Sequence, residues 1–172
     1  RSALAPDGIE ETIPVAAGLH LDARAYVDLI RRHALHLGVE VTPGGVETIR
    51  RDGFGPRPEF RVLLAELDGA PAGYALFHPS WSTEVGEPGL YLYDLYVRGP
   101  ARGHGVARAL MVALARLARE EGRTFLWWSS KAWNTGAQAF YRKLGAIQED
   151  VKAHALFGEA FLALAEEPDP RA

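Results

Sequence analysis

A strand run that empties through a glycine-rich turn straight into a helix constrains this chain more than any other feature. Leu90–Val97 is a run of aromatic and branched residues, the composition of a buried strand. The turn Arg98–Gly105 follows. Val106, Leu110, Leu114 and Leu117 then recur at helical spacing, which predicts a helix of about four turns that Gly122 ends. Phe125–Ser129 reads as a further strand, so the whole is strand, turn, helix, strand: a crossover between neighbouring strands.

The rest of the chain arranges itself around that unit. Asp22 has the character of an N-cap, and Tyr26, Leu29, Ile30, Ala34 and Leu37 predict a helix that Gly38 stops. A second, shorter helix is expected after Thr42-Pro43, ending at Asp52-Gly53 before the surface loop Gly53–Pro58. Arg61–Leu67 and Gly73–His78 are extended runs joined by Asp68-Gly69-Ala70-Pro71, which carries the Asp-Gly signal of a hairpin. Ser80, Ser82, Gly86, Pro88 and Gly89 predict a loop before Leu90. Thr135–Leu144 reads as a short helix closed by Gly145, and residues 147–152 and 156–164 read as final strands paired in a hairpin. The expectation is one α/β (α+β) domain over residues 1–172, built on one sheet, with residues 1–8 and 166–172 frayed.

Composition removes several function classes. A formal net charge of -3 gives no basic footprint for nucleic acid or an anionic membrane. No stretch approaches the ~20 apolar residues of a membrane span, and the first residues lack the order of a signal peptide. The chain has no cysteine, so disulfides, thiol nucleophiles and cysteine-bound metals are excluded together, and a cytoplasmic setting is expected. His33 and His36 lie three residues apart without a third ligand, so no metal is expected.

Where a strand ends and a helix begins, backbone N–H groups without partners and a partial positive charge converge. Arg102-Gly103-His104-Gly105-Val106-Ala107 occupies that place. Glycines 103 and 105 let the backbone approach a phosphate, and Arg102 or Arg108 adds a charge-assisted hydrogen bond, so a diphosphate is the natural guest. His104 either contacts phosphate or points outward. The Walker A pattern fails because no Gly-Lys-Ser/Thr follows Gly99 at the required spacing. A dinucleotide fingerprint fails because Arg108 stands where a small residue belongs and no acid ends Phe125–Ser129, leaving a dehydrogenase as a remote choice.

Arg102-x-x-Gly105-x-Ala107 after the strand Tyr93–Val97 resembles the Arg/Gln-x-x-Gly-x-Gly/Ala diphosphate signature of GNAT N-acetyltransferases. Trp133-Asn134 and then Ala139-Phe140-Tyr141-Arg142-Lys143-Leu144-Gly145-Ala146 resemble the asparagine and Phe-Tyr elements of the same family, in the same order. Asp52-Gly53-Phe54-Gly55, Val62–Leu67 and Leu90–Val97 are similar to its polyamine (spermidine/spermine) and thialysine branch, with one departure: Tyr93 stands where that branch has a glutamate before the aspartate. The resemblance implies a mixed, mostly antiparallel central sheet of about six or seven strands flanked by about four helices. It implies acetyl-CoA as co-substrate, held by the backbone of Leu95, Tyr96 and Val97, by residues 102–108 and by Asn134, with the Tyr141 hydroxyl near the sulfur. It also implies a homodimer.

A primary amine near the ordinary lysine pKa of ~10.4 is protonated at neutral pH, and exposing its lone pair costs about 4–5 kcal/mol. Tyr93 and Asp94 are the nearest candidates to take that proton. Strand alternation sends adjacent side chains to opposite faces, so one of them is expected in the cleft, with Tyr93 and a water favoured. The departing thiolate needs an acid, and a phenol such as that of Tyr141 stays loaded at neutral pH. With no cysteine to carry an acetyl group, direct attack in a ternary complex is expected. The leading acceptor is a small polyamine, diamine or lysine analogue. A protein or peptide amine is an alternative, and a non-catalytic acyl-CoA sensor is an alternative of another class. Trp81, Trp127, Trp128 and Trp133 are read as either core or a wall for a cationic acceptor, with Trp127 and Trp128 on opposite sides of their strand.

Overall fold

Asp68 and Gly69 both take positive φ, 54° and 73°, the backbone of a two-residue turn whose twist suits a hairpin. Their neighbours Leu67 and Ala70 pair directly, so Asp68-Gly69 is the whole connection between β2 (Arg61–Leu67) and β3 (Ala70–Ser82). The protein is seen here as a computed structural model that describes residues 15–17 and 43–168. The helix expected after Asp22, with His33 and His36, lies outside the described residues. The chain divides into two compact units, Arg1–Ser129 and Ser130–Ala172.

In the first unit, β1 (Val15–Ala17), β2, β3, β4 (Glu87–Val97) and β5 (Phe125–Trp128) form one sheet in chain order. The first four are antiparallel, and β5 runs parallel to β4, as the crossover requires. The loop expected around Ser80–Gly89 is mostly strand: Pro79 pairs with Leu90, and the ladder continues to Ser82 with Glu87, leaving only residues 83–86 as the turn. β2 reaches no further along β3 than Phe77, so beyond it β3 has β4 as its only strand neighbour among the described residues. Such a margin tolerates a proline that a central strand would reject.

The two faces of this sheet carry separate cores. On one, α2 (Val106–Glu120) packs against the strands and buries Val106, Leu110, Met111, Leu114 and Ala118. On the other, Val62, Leu64 and Tyr74 pack with Phe60, Leu76 and Tyr96 and with Ile49 and Phe54 of α1 (Pro43–Phe54). Helix α1 runs a residue past its expected end. The C-terminal end of α2 is tied to the sheet: Glu121 accepts from Arg61 of β2 at 2.6 Å and from Arg123 at 2.9 Å, and Arg123 also donates to the Gly89 carbonyl at 3.0 Å.

The second unit contains α3 (Thr135–Lys143), as the spacing predicts, and α4 (Gly158–Ala165). Helix α4 overturns the expected strand over 156–164, and residues 146–157 form no regular element, which overturns the strand over 147–152. Glu-Ala-Phe-Leu-Ala-Leu-Ala is apolar without a decisive period, and its alanines, leucines and glutamate are strong helix formers, so propensity outweighs the apparent alternation. The sheet therefore has five strands among the described residues where six or seven were expected, with four α-helices.

Candidate functional site

The turn after β4 is held by its own backbone. Arg98 donates from its backbone N–H to the Ala72 carbonyl and from its guanidinium to the Pro71 carbonyl, both at 2.9 Å. A single 3-10 turn, Gly99–Ala101, buries Ala101 and brings the chain to Arg102, whose Nε donates to the Val97 carbonyl at 3.1 Å. Gly103 and Gly105 have φ of 83° and 78°, a region that side-chain-bearing residues rarely enter. Gly105 is the N-cap of α2, no side chain caps that helix end, and no acid stands in the first turn. The helix's first N–H groups and its positive end are thus available to an anion.

Each predicted turn residue has a definite place. Arg102, Gly103, His104, Gly105 and Arg108 are exposed around the helix start, Ala107 is half-buried, and Val106 is buried, so Val106 can offer only its backbone. His104 Nδ1 lies 3.0 Å from the Arg102 carbonyl, and because a carbonyl only accepts, Nδ1 is the donor.

The middle of β4 departs from simple alternation. Leu76 pairs with Asp94 and Phe77 with Leu92, so Tyr93 is the extra residue of a β-bulge. Tyr74, Leu76 and His78 alternate onto one face of β3. The Tyr93 ring lies 4.7 Å from the His78 ring, and the Tyr74 hydroxyl donates to Asp94 Oδ2 at 3.1 Å. Tyr93 and Asp94 therefore share that face. This corrects the expectation that only one of them can look toward the acceptor, since the bulge cancels the alternation on which it rested.

Tyr91 completes the group. It pairs across the strands with His78 on one side and Trp127 on the other, and its ring lies 5.5 Å from His78 and 5.0 Å from Tyr93. The Tyr93 ring is 61% exposed and Trp127 46%, so this aromatic patch is a surface and not a core. Trp81 and Trp133 are exposed too, and Trp128 is half-buried. Tyr96 packs against Tyr74, with centroids 5.6 Å apart, which commits its ring to the second core. The ladder from β4 to β5 covers only Gly89–Leu92, and beyond it β4 runs on alongside β3 toward the glycine turn through Leu95, Tyr96 and Val97. His78 escaped the sequence reading because its neighbours are set by cross-strand register and by the bulge, neither of which a local pattern reveals.

In the second unit Asn134 is the N-cap of α3, its Oδ1 accepting from the Ala137 N–H at 3.2 Å. Tyr141 is buried in the same helix, its ring 5.4 Å from that of Phe140. Tyr141 follows Asn134 by seven positions, about two helical turns, so they lie on one side of α3. Among the described residues no group of three or more His, Asp or Glu is placed to hold a metal, and no helix is long and apolar enough to cross a membrane.

Comparison with known proteins gives the family and the fold. The model of the Acetyltransferase (GNAT) family matches residues 28–146. A thialysine N-epsilon-acetyltransferase of Bos taurus is 35% identical over 108 residues, 58% of this chain and 63% of that protein. The L-ornithine N5-acetyltransferase NATA1 of Arabidopsis thaliana is 31% identical over 98 residues, 56% of this chain and 43% of that protein. The similarity thus spans less than two thirds of either relative's length. An integron cassette protein from the mobile metagenome of V. cholerae shares the fold with a TM-score of 0.77 at 20% identity, over 91% of this chain and 99% of that one.

Proposed function

The chain belongs to the acetyltransferase (GNAT) family, and from that premise we propose that it transfers the acetyl group of acetyl-CoA to a primary amine of a small molecule: a polyamine, a diamine or a lysine analogue. The observation that carries this reading is the course of β4. One strand presents Tyr93 and Asp94 on an exposed aromatic face and then runs directly into an uncapped, glycine-rich helix start. The thialysine and ornithine acetyltransferases similar to this chain act, by their names, on small amino compounds with a side-chain amine.

In this reading the CoA diphosphate lies on the N–H groups of residues 103–108, with Arg102 and Arg108 adding charge. The pantetheine arm runs along the backbone of Leu95, Tyr96 and Val97 as an added strand, and one of its N–H groups polarises the thioester carbonyl. Asp94 faces the incoming ammonium and holds it by charge, while the Tyr93 ring offers its π face. Once a proton has left the ammonium, the nitrogen lone pair attacks the thioester carbon. The C–S bond breaks, and the Tyr141 hydroxyl protonates the departing thiolate. The proton that the nitrogen then sheds restores Tyr141. Asn134 supports the cofactor through its amide. We read the chain as a cytoplasmic homodimer.

The test is thiol release from acetyl-CoA with purified protein and candidate amines, beside calorimetric titration of acetyl-CoA alone. Saturable turnover with a polyamine, ornithine or thialysine is the expected result. Binding without turnover on any amine would overturn the transferase reading.

A further inference from the structure

The geometry points to His78 as the catalytic base that takes the proton from the acceptor's ammonium group, an inference that rests on the amine-transfer reading above. The ammonium must lose a proton before its nitrogen can attack, and the group that accepts it must be basic near neutral pH. Carboxylates as a class are weak bases, and phenols as a class are already protonated at that pH. Imidazole, with an ordinary pKa near ~6.5, is the side-chain type suited to the task. Among the described residues, His78 is the imidazole on the face that holds Tyr93 and Asp94.

Its immediate contacts prepare it for that role. Nδ1 lies 2.5 Å from the Pro79 carbonyl oxygen. A carbonyl accepts and never donates, so Nδ1 carries the hydrogen, and in the neutral ring the lone pair is on Nε2. The backbone bond thereby fixes the tautomer as well as the ring. Tyr91 and Tyr93 flank the imidazole with centroids 5.5 and 4.7 Å away, and the side chain is only half-buried, open to an acceptor. Aromatic faces draw an ammonium ion toward the same spot. Among the described residues, the titratable groups facing His78 are the phenols of Tyr91 and Tyr93 and, two register pairs along, the carboxylate of Asp94.

The proton balance closes. Nε2 takes one proton from the ammonium, the freed lone pair forms the C–N bond as the C–S bond breaks, and the protonated imidazole returns its proton to water. No co-reactant beyond acetyl-CoA and the amine is needed.

The experiment compares wild type with His78→Asn, whose amide N–H replaces the Nδ1 donor to Pro79 but leaves no base. His78→Gln serves as the second variant, and circular dichroism checks the fold of both. Thiol release is followed from pH 6 to 9.5 with thialysine, ornithine and spermidine, and acetyl-CoA binding is measured by calorimetry. The expected result is a fall in kcat/KM on the order of 100-fold at neutral pH. With it goes the loss of the single-proton acidic limb expected of wild type, partial recovery on adding imidazole, and acetyl-CoA affinity unchanged within about twofold. Variants that keep the acidic limb and most of their kcat/KM would overturn the assignment of His78 alone. A wild type that turns over none of the amines would instead overturn the transfer reading beneath it.

Discussion

The bulged stretch Leu92–Asp94 and the glycine turn Arg98–Gly105 belong to one run of chain, yet the first presents side chains and the second presents backbone. At the turn, the proposed reading rests on positive φ at residues 103 and 105 and on helix N–H groups, with the side chains of Arg98 and Arg102 tying the backbone in place. At the bulge, one extra residue places Tyr93 and Asp94 on one face beside His78, and the proposed acceptor site rests on their identities. On the proposed reading, the comparison teaches that the cofactor end is specified by conformation and the acceptor end by register. Damage to the first should weaken acetyl-CoA binding, and damage to the second should alter handling of the amine.

The variant with the largest expected effect lies outside both stretches and separates binding from chemistry. Tyr141→Phe is expected to lower kcat on the order of 100-fold with acetyl-CoA affinity retained, because it removes an acid and no binding contact. Equal turnover would remove Tyr141 from the mechanism. Next comes Gly105→Val, which forces a branched residue into positive φ and puts its side chain against the diphosphate. Strain of about 2 kcal/mol, if relieved only by moving the N–H groups off the diphosphate, corresponds to a loss of roughly 30-fold in acetyl-CoA affinity. Calorimetry showing unchanged affinity in folded Gly105→Val would break the comparison at its cofactor end.

A smaller change is expected at the bulge. Tyr93→Leu keeps the apolar bulk but loses the aromatic face, so the acceptor KM should rise about fivefold, the scale of one exposed cation–π contact, while acetyl-CoA affinity stays put. If cofactor affinity moved instead, the division between the two ends would be wrong.

The smallest effect belongs to the tie between α2 and β2. Partial burial pushes the Glu121 carboxyl up, but the hydrogen bonds from Arg123 and Arg61 outweigh it, and its net position is below the ordinary carboxylate range. A carboxyl depressed in the folded state stabilises above its unfolded pKa of ~4.3, and that contribution fades as pH falls through the folded value. Glu121→Gln should therefore cost up to about 1 kcal/mol at pH 7, and the difference in Tm should shrink below roughly pH 5. A gap that widens in acid would contradict the assignment.

The turn was legible in the sequence because its signals are local: glycines at two positions, a strand before them and a helical period after. The Asp68-Gly69 hairpin was legible for the same reason, and so was α3, with its closing glycine, though the structure adds Asn134 as its cap. The bulge was hidden, because it exists only in the register of β4 against β3, and with it went both His78 and the shared face of Tyr93 and Asp94. Residues 83–86 are a tight turn where a long loop was expected, since Ser80, Ser82, Gly86, Pro88 and Gly89 read locally as loop residues and only the register of β3 against β4 shows most of them paired. The apolar residues of α4 fit two periods, and helix propensity decided between them.

The most direct test of the central claim is thiol release from acetyl-CoA by the wild-type chain against polyamines, ornithine, thialysine and, as contrast, aminoglycosides and short peptides. Saturable turnover confined to the small flexible amines, with one CoA thiol freed per acetylated product, is the predicted result. Tight acetyl-CoA binding with no thiol released above the uncatalysed rate on any amine would contradict it.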